Sequence, residues 1–205
     1  QKASILKELC GYNADLILLQ EVDESFINGG IGPIFDTLGY DSTFLSKEKL
    51  KEGLAILYRR SKFSCLMNET HTFSNLLLNC DLFTEVKSKV ETNELLLSRI
   101  SKLKNSLQVL LLRVTPEDSN RLLLVANLHL YSKDDADHIR LIQSYLCFKY
   151  IEKMLAKLGE EYPLHTISFV LAGDWNSTPE FGVVRLVNEK KVDSSLEDFR
   201  ISTLL

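Results

Sequence analysis

Several things are missing from this 205-residue sequence, and each absence removes a class of protein. No apolar run approaches the roughly eighteen residues a bilayer-spanning helix needs. The longest, Leu107 to Leu112 and Leu122 to Leu128, have the length of buried strands. Cysteine is scarce: Cys10, Cys65, Cys80 and Cys147 stand far apart, without zinc-type spacing or the density of a disulfide framework, and read as free thiols in a reducing compartment. No HExxH and no glycine-rich phosphate loop occurs. Positive charge is not in excess, since 24 Lys and Arg face 28 Asp and Glu for a net charge of -4. That excludes a protein that coats nucleic acid by bulk electrostatics, though not an enzyme that takes phosphate through a metal and a few placed groups. Internal repeats and low-complexity linkers are absent too. Because the sequence opens on Gln1 and its methionines are Met67 and Met154, it reads as a piece of a longer chain. Any targeting segment is expected upstream of it.

What is present alternates helix and strand. Ile5, Leu6 and Leu9 fall on one helical face within residues 2–10, with Gly11 placed as a C-terminal cap. The run from Ala14 to Val22 is too continuously apolar for a half-exposed strand and short enough for a buried one. A short helix is predicted over 31–39 around Pro33, and a strand over Gly53 to Tyr58. Residues 73–104, rich in Leu, Lys and Glu and poor in Gly and Pro, predict one or two amphipathic helices inserted between strands. Ser106 to Val114 and Arg121 to Leu128 flank Thr115-Pro116-Glu117-Asp118-Ser119-Asn120, a hairpin signal. The spacing of Ile139, Ile142, Leu146, Tyr150 and Leu155 predicts a helix over His138 to Leu158, and Ile167 to Ala172 returns to buried strand. The pattern implies an α/β protein with a mixed sheet under helical cover, one domain by its length and its 45% hydrophobic content.

Three of the apolar runs end in polar groups. One stops at Gln20-Glu21, one continues as Asn127-Leu128-His129-Leu130-Tyr131, and one ends in Gly173-Asp174-Trp175-Asn176-Ser177-Thr178-Pro179. Each has a bland reading. Gly, Asp, Asn, Ser and Pro are turn formers, Glu21 can be a surface acid capping the next helix, and His129 can be a satisfied structural histidine. The sharper reading is that strand ends in α/β proteins carry the chemistry. His71, His138 and His165 lack such a context and read as ordinary surface or loop residues.

One Glu, one His, one Asp and several Asn, without cysteine ligands, suit magnesium, which favours oxygen donors and keeps much of its water; manganese is a possible substitute. Phosphodiester hydrolysis then assigns Glu21 to the metal, Asp174 to the attacking water, and Asn176 and His129 to donors toward the phosphoryl group. Asn127 and Tyr131 alternate with His129 along an extended segment, which is the pattern of a solvated sheet face; with Asn176 they are also the candidate substrate contacts.

The three strand-end segments, in this order, resemble motifs of the endonuclease/exonuclease/phosphatase superfamily and are closest to its deadenylase-like branch. Gly11-Tyr12-Asn13-Ala14-Asp15, Glu52-Gly53-Leu54-Ala55, Tyr58-Arg59-Arg60-Ser61-Lys62-Phe63 and Ile139-Arg140-Leu141-Ile142-Gln143 are similar to segments of the 2′,5′-phosphodiesterases in that branch. The resemblance covers nearly the whole chain. It implies a two-sheet α/β sandwich flanked by helices, present here as an incomplete fragment: one catalytic domain over residues 1–205, truncated at both ends. It further implies a magnesium-dependent phosphodiesterase and 3′ exoribonuclease that takes 2′,5′-oligoadenylate and the poly(A) tails of mRNA to AMP. RNA is then the substrate and no membrane is involved. The implied location is intracellular, in the mitochondrial matrix, with the cytoplasm as the alternative. Carried over by motif, Glu21 binds the metal, His129 contacts the scissile phosphate, Asp174 handles water and Asn176 holds phosphate or nucleotide. Two other readings stay open: a different phosphoesterase of the superfamily, phosphatase or endonuclease, and a non-catalytic binding protein on the same fold.

The resemblance also implies an asparagine on a strand before the first helix and a C-terminal Ser-Asp-His motif, neither of which lies in this sequence. These 205 residues alone are therefore expected to be inactive and short of strands. A basic run of Lys47, Lys49, Lys51, Arg59, Arg60 and Lys62 is either a solvated surface or a phosphate-backbone contact.

Overall fold

The structure is a computed structural model and describes residues 2–46, 52–116 and 119–191. Lys47, Lys49 and Lys51 of the basic run, Glu117 and Asp118 of the hairpin turn, and the tail Ile201 to Leu205 lie outside the described residues. The chain divides into two compact units. The first comprises Gln1–Thr70, Gln108–Leu128 and Leu158–Gly173, and the second His71–Leu107, His129–Lys157 and Asp174–Leu205.

In the first unit, α1 (Lys2–Tyr12) runs through Gly11, which was expected to end it. The stop comes two residues later, at Asn13, whose φ of 48° is left-handed, a conformation asparagine tolerates better than most residues. β1 (Leu16–Asp23) comes next where a strand was predicted, but it is an outer strand with only Ile17 and Val22 buried, which corrects the expectation of a fully buried one. The chain then turns helical sooner than the sequence suggests, through α2 (Glu24–Phe26), a π-type turn over Ile27–Ile31 and α3 (Gly32–Thr37), with Pro33 in the first turn of α3. β2 (Tyr40–Ser46) was not anticipated, because its mixed Tyr-Asp-Ser-Thr-Phe pattern gives a weak period. β3 (Glu52–Arg59) matches its prediction.

These strands form an antiparallel sheet in the order β1-β3-β2. Its middle strand is buried from Gly53 to Tyr58, as a strand covered on both faces must be. Alternation along it sorts the core: Ala55 and Leu57 join Ile17, Ile31 and Phe35, with Leu6 and Leu9 of α1 against them. Ile56 and Tyr58 point the other way, onto Leu110, Leu112 and Val125 of a second sheet. Helices on one face and a sheet on the other make this a two-sheet α/β sandwich.

The second sheet has four strands in the order β4-β5-β6-β7: β4 (Phe63–Thr72), β5 (Ser106–Val114), β6 (Arg121–His129) and β7 (Thr166–Asp174). β4, with its polar Asn-Glu-Thr-His stretch, escaped the sequence reading. The sheet is mixed. Thr115 N–H reaches Lys62 O and Phe73 N–H reaches Asn105 O, so β4 and β5 are antiparallel. β6 and β7 run the same way, tied by Thr166 N–H to Asn120 O at one end and Leu130 N–H to Asp174 O at the other. β7 corrects an expectation: it was read as buried, yet it is an outer strand with Phe169 and Val170 exposed by 37% and 39%. Its apolar composition alone cannot tell a central strand from an outer one.

In the second unit, residues 73–104, expected to form one or two helices, form three, α4 (Phe73–Asn79), α5 (Thr84–Glu91) and α6 (Glu94–Ser101), with a 3₁₀ turn over Asp81–Phe83 between the first two. Thr72 caps α4 by accepting from Asn75 N–H, and Asn93 caps α6 by accepting from Leu96 N–H. These caps punctuate a stretch that composition alone presents as continuous. α7 (Asp137–Glu161) confirms the longest predicted helix, and α8 (Gly182–Glu189) comes after β7. Among the described residues no helix is long and apolar enough to cross a membrane.

Arg59 and Arg60 are spent on the fold. Arg59 donates to Asp15, Asn13 and Tyr40, and Arg60 to Asp36, Asp41 and the Asp36 and Tyr40 carbonyls. Acids of the first unit thus neutralise both, which favours the structural reading of this part of the basic run.

Candidate active site

Glu21 stands on a β-bulge. Leu19 pairs with Ala55 and Val22 with Gly53, so Gln20 and Glu21 together face the single residue Leu54. Glu21 has φ +55°, unusual for a residue with a side chain, and is exposed. The bulge sits on a buried amide network. Asn127, 0% exposed, donates from Nδ2 to Leu19 O at 3.0 Å and to Ala55 O at 3.2 Å, and its Oδ1 accepts from Gln20 Nε2 at 2.8 Å. Asn127 was expected to touch substrate. In the structure the residue has no open surface, and its amide is bonded to two strands of the first unit.

In the second unit, Asp174 and Asn176 form an Asx turn, with Asn176 N–H donating to Asp174 Oδ1 at 2.8 Å. Asn176 takes the left-handed φ of 48° and donates from Nδ2 to Leu130 O at 2.9 Å, while Asp174 O accepts from Leu130 N–H. Two bonds therefore fasten the turn to the residue after His129. With Oδ1 committed to the turn, Oδ2 is the oxygen that faces His129 Nε2, at 4.0 Å. The carboxylate is half-exposed and the imidazole is 5% exposed, so the acid lies outward and the ring behind it. Asn105 Nδ2 donates to the His129 carbonyl and holds its backbone. Just before the turn, Gly173 has φ +149°, and a Cβ there would run into the Leu128 carbonyl. Only glycine lets the strand end approach so closely.

The segment after His129 is pinned by the first turns of α7. Gln143 Oε1 accepts from Tyr131 N–H at 3.0 Å, and Arg140 donates to the Tyr131 and Lys133 carbonyls and to the Asp137 carboxylate. The half-buried Tyr131 ring lies 5.5 Å from the Arg99 guanidinium, which itself pairs with Asp135 at 3.0 Å. A hydrogen bond from Arg99 holds the Asp135 carboxyl below its ordinary range. His138 was read as a surface or loop residue. The structure buries it to 7% exposure, because it opens the packed face of α7; burial first, and the Arg99 charge second, push its imidazole pKa down. His71 is also engaged, sharing a 2.7 Å hydrogen bond with Tyr150.

Of the residues singled out by sequence, His129, Asp174 and Asn176 come together in the second unit, with Tyr131 on the adjoining segment. Glu21 and Asn127 belong to the first. Gln20, Asn105, Arg140 and Gln143 hold these residues and were not assigned roles. The spacing of Arg140 and Gln143 at i and i+3 on one helix was the signal available for two of them. Among the described residues, no group of three His, Cys, Asp or Glu side chains is placed to share a metal ion. The exposed carboxylate of Glu21 is a hard oxygen donor, of the kind that serves a cation whose other positions are filled by water and substrate.

A sheet-on-sheet α/β sandwich with acid, amide and imidazole at its strand ends defines the class of protein. The chain belongs to the Endonuclease/Exonuclease/phosphatase family, whose model matches residues 1–202. It is 36% identical over 195 residues to 2′,5′-phosphodiesterase 12 of Rattus norvegicus, covering 95% of this chain and 31% of that protein. It is 28% identical over 226 residues to CCR4-NOT transcription complex subunit 6-like-B of Xenopus laevis, covering 98% of this chain and 40% of that protein. The crystal structure of ANGEL2, a 2′,3′-cyclic phosphatase, superposes with a TM-score of 0.66 at 26% identity, over 90% of this chain and 46% of that one. The chain thus spans about a third of the length of the first of these curated relatives.

Proposed function

We propose that the protein is a divalent-metal-dependent phosphodiesterase acting as a 3′ exoribonuclease on oligoadenylate, 2′,5′-linked or as poly(A), with AMP as product. The observation that carries this reading is the Asp174 turn. Its Asn176 N–H fixes one carboxylate oxygen and its His129 neighbour stands behind the other, the arrangement an acid needs to orient and deprotonate water. The relatives named 2′,5′-phosphodiesterase 12 support the substrate class.

Glu21 is the residue that would hold magnesium, or manganese in its place, which would supply charge neutralisation at a phosphoryl group. Asp174 Oδ2 takes the proton of the attacking water. His129 keeps Asp174 in place and, when protonated, donates toward a phosphoryl oxygen. Asn176 and Tyr131 bind the nucleotide side of the substrate. A mitochondrial matrix location, with the cytoplasm as the alternative, completes the reading and is tested by fractionation.

The test is AMP release from 2′,5′-oligoadenylate and from poly(A) by the full-length protein, with magnesium and with chelator. Glu21→Ala is expected to abolish the magnesium-dependent rate while the circular dichroism stays that of the parent. Hydrolysis that survives both chelator and Glu21→Ala defeats the reading. The likeness to a protein described as a 2′,3′-cyclic phosphatase favours a second reading, in which a terminal phosphoester is opened without release of a nucleotide. Product analysis of the same reactions separates the two.

A further inference from the structure

We infer that Gln20 and Asn127 are positioning residues for Glu21, setting the bulge that aims its carboxylate. The inference rests on the proposed metal role of Glu21. A residue with a side chain keeps a left-handed backbone only where its surroundings over-determine it. Here the last regular pair before the bulge is Leu19 with Ala55, and one Asn127 Nδ2 donates to both of their carbonyls. The next side chain, Gln20, donates to the same residue's Oδ1. Two donor hydrogens and one acceptor thereby fix the carbonyl before the bulge, the strand opposite it and the residue adjacent to Glu21.

A leucine at position 127 would fit the apolar run of β6 as well, and a polar amide buried at 0% exposure is disfavoured unless fully bonded. What the amide does that leucine cannot is grip Leu19 and Gln20. The alternative is that the network only fastens strands together. The same unit contains such a bond away from Glu21: Tyr40 OH donates to Ala14 O at 2.5 Å and accepts from Arg59 at 2.6 Å.

The experiment titrates manganese into the full-length protein, following free Mn²⁺ by electron paramagnetic resonance and the rate of AMP release in parallel. Gln20→Met removes one donor from a half-buried side chain and preserves its length. It is expected to raise the half-saturating manganese concentration on the order of tenfold, with kcat largely restored at saturation. Tyr40→Phe is expected to lower the thermal midpoint and leave the manganese titration of the parent. If Gln20→Met titrates like the parent and merely melts earlier, as Tyr40→Phe does, the inference is overturned. If the parent binds no manganese, or Glu21→Ala binds it equally well, the metal role of Glu21 has failed and the inference falls with it.

Discussion

Glu21 and Asp174 are both carboxylates at the end of an apolar β-run, and they are held in opposite ways. Glu21 is exposed on a strained bulge whose supports come from far along the chain: Gln20 and Asn127 are 107 residues apart, and Asn127 and Leu19 are 108. Asp174 is held by its own neighbourhood, an Asx turn closed by the amide two residues on. The first carboxylate depends on the core of its unit being correctly assembled. The second needs little beyond a short stretch of sequence and one strand end to lean on. Damage to packing should therefore reach Glu21 first, whereas Asp174 should be sensitive mainly to changes in its own turn.

The sharpest way to break this contrast is Asp174→Asn, which keeps an oxygen for the Asn176 N–H and removes the carboxylate. Hydrolysis by the full-length protein is expected to fall about 10²- to 10⁴-fold, with urea unfolding shifted by less than about 1 kcal/mol. A variant that keeps its rate would show that Asp174 does not handle water.

Next in size is a matched pair of asparagine changes. Asn127→Leu removes the amide bonds to the Leu19 and Ala55 carbonyls and strips the Gln20 amide of its acceptor, and is expected to cost about 2–4 kcal/mol in urea unfolding. Asn176→Gly loses one amide donor but keeps the left-handed backbone without strain, and should cost about 0–1 kcal/mol. Equal losses would erase the distinction between a core-dependent and a locally built acid.

The smallest effect is one of pH. The folded protein lowers the His138 pKa below its usual 6.5 by burial, so the unfolded chain binds the proton more readily. The neutral imidazole is therefore accommodated above about pH 6.5, and stability is lost as pH falls from there through the lowered pKa. Thermal midpoints of His138→Gln measured from pH 7.5 to pH 5 are expected to fall less steeply than the parent's. Parallel slopes would assign the acid sensitivity to other groups.

The same division between local and distant supports decides what could be read in advance. The Asp174 turn, the long α7 helix and β3 were legible because their causes lie within a few residues: an Asp-Trp-Asn turn, a 3.6-residue period, an unbroken apolar run. The motif order also marked Glu21, His129 and Asn176 for roles. The bulge under Glu21 was not legible, since nothing in Leu19-Gln20-Glu21-Val22 says that an amide from β6 will meet it. The burial of Asn127 was hidden for the same reason: alternation places it on the face of His129 and is silent about a core that closes over it. His138 and the outer position of β7 failed likewise, because burial depends on what packs against an element.

Gly173 sets a trap for anyone mapping the protein by substitution. Its left-handed backbone and its contact with the Leu128 carbonyl leave no room for even a methyl group. A scan scored on activity alone would rank it beside Asp174 and mistake a gap between two strands for a participant in the chemistry.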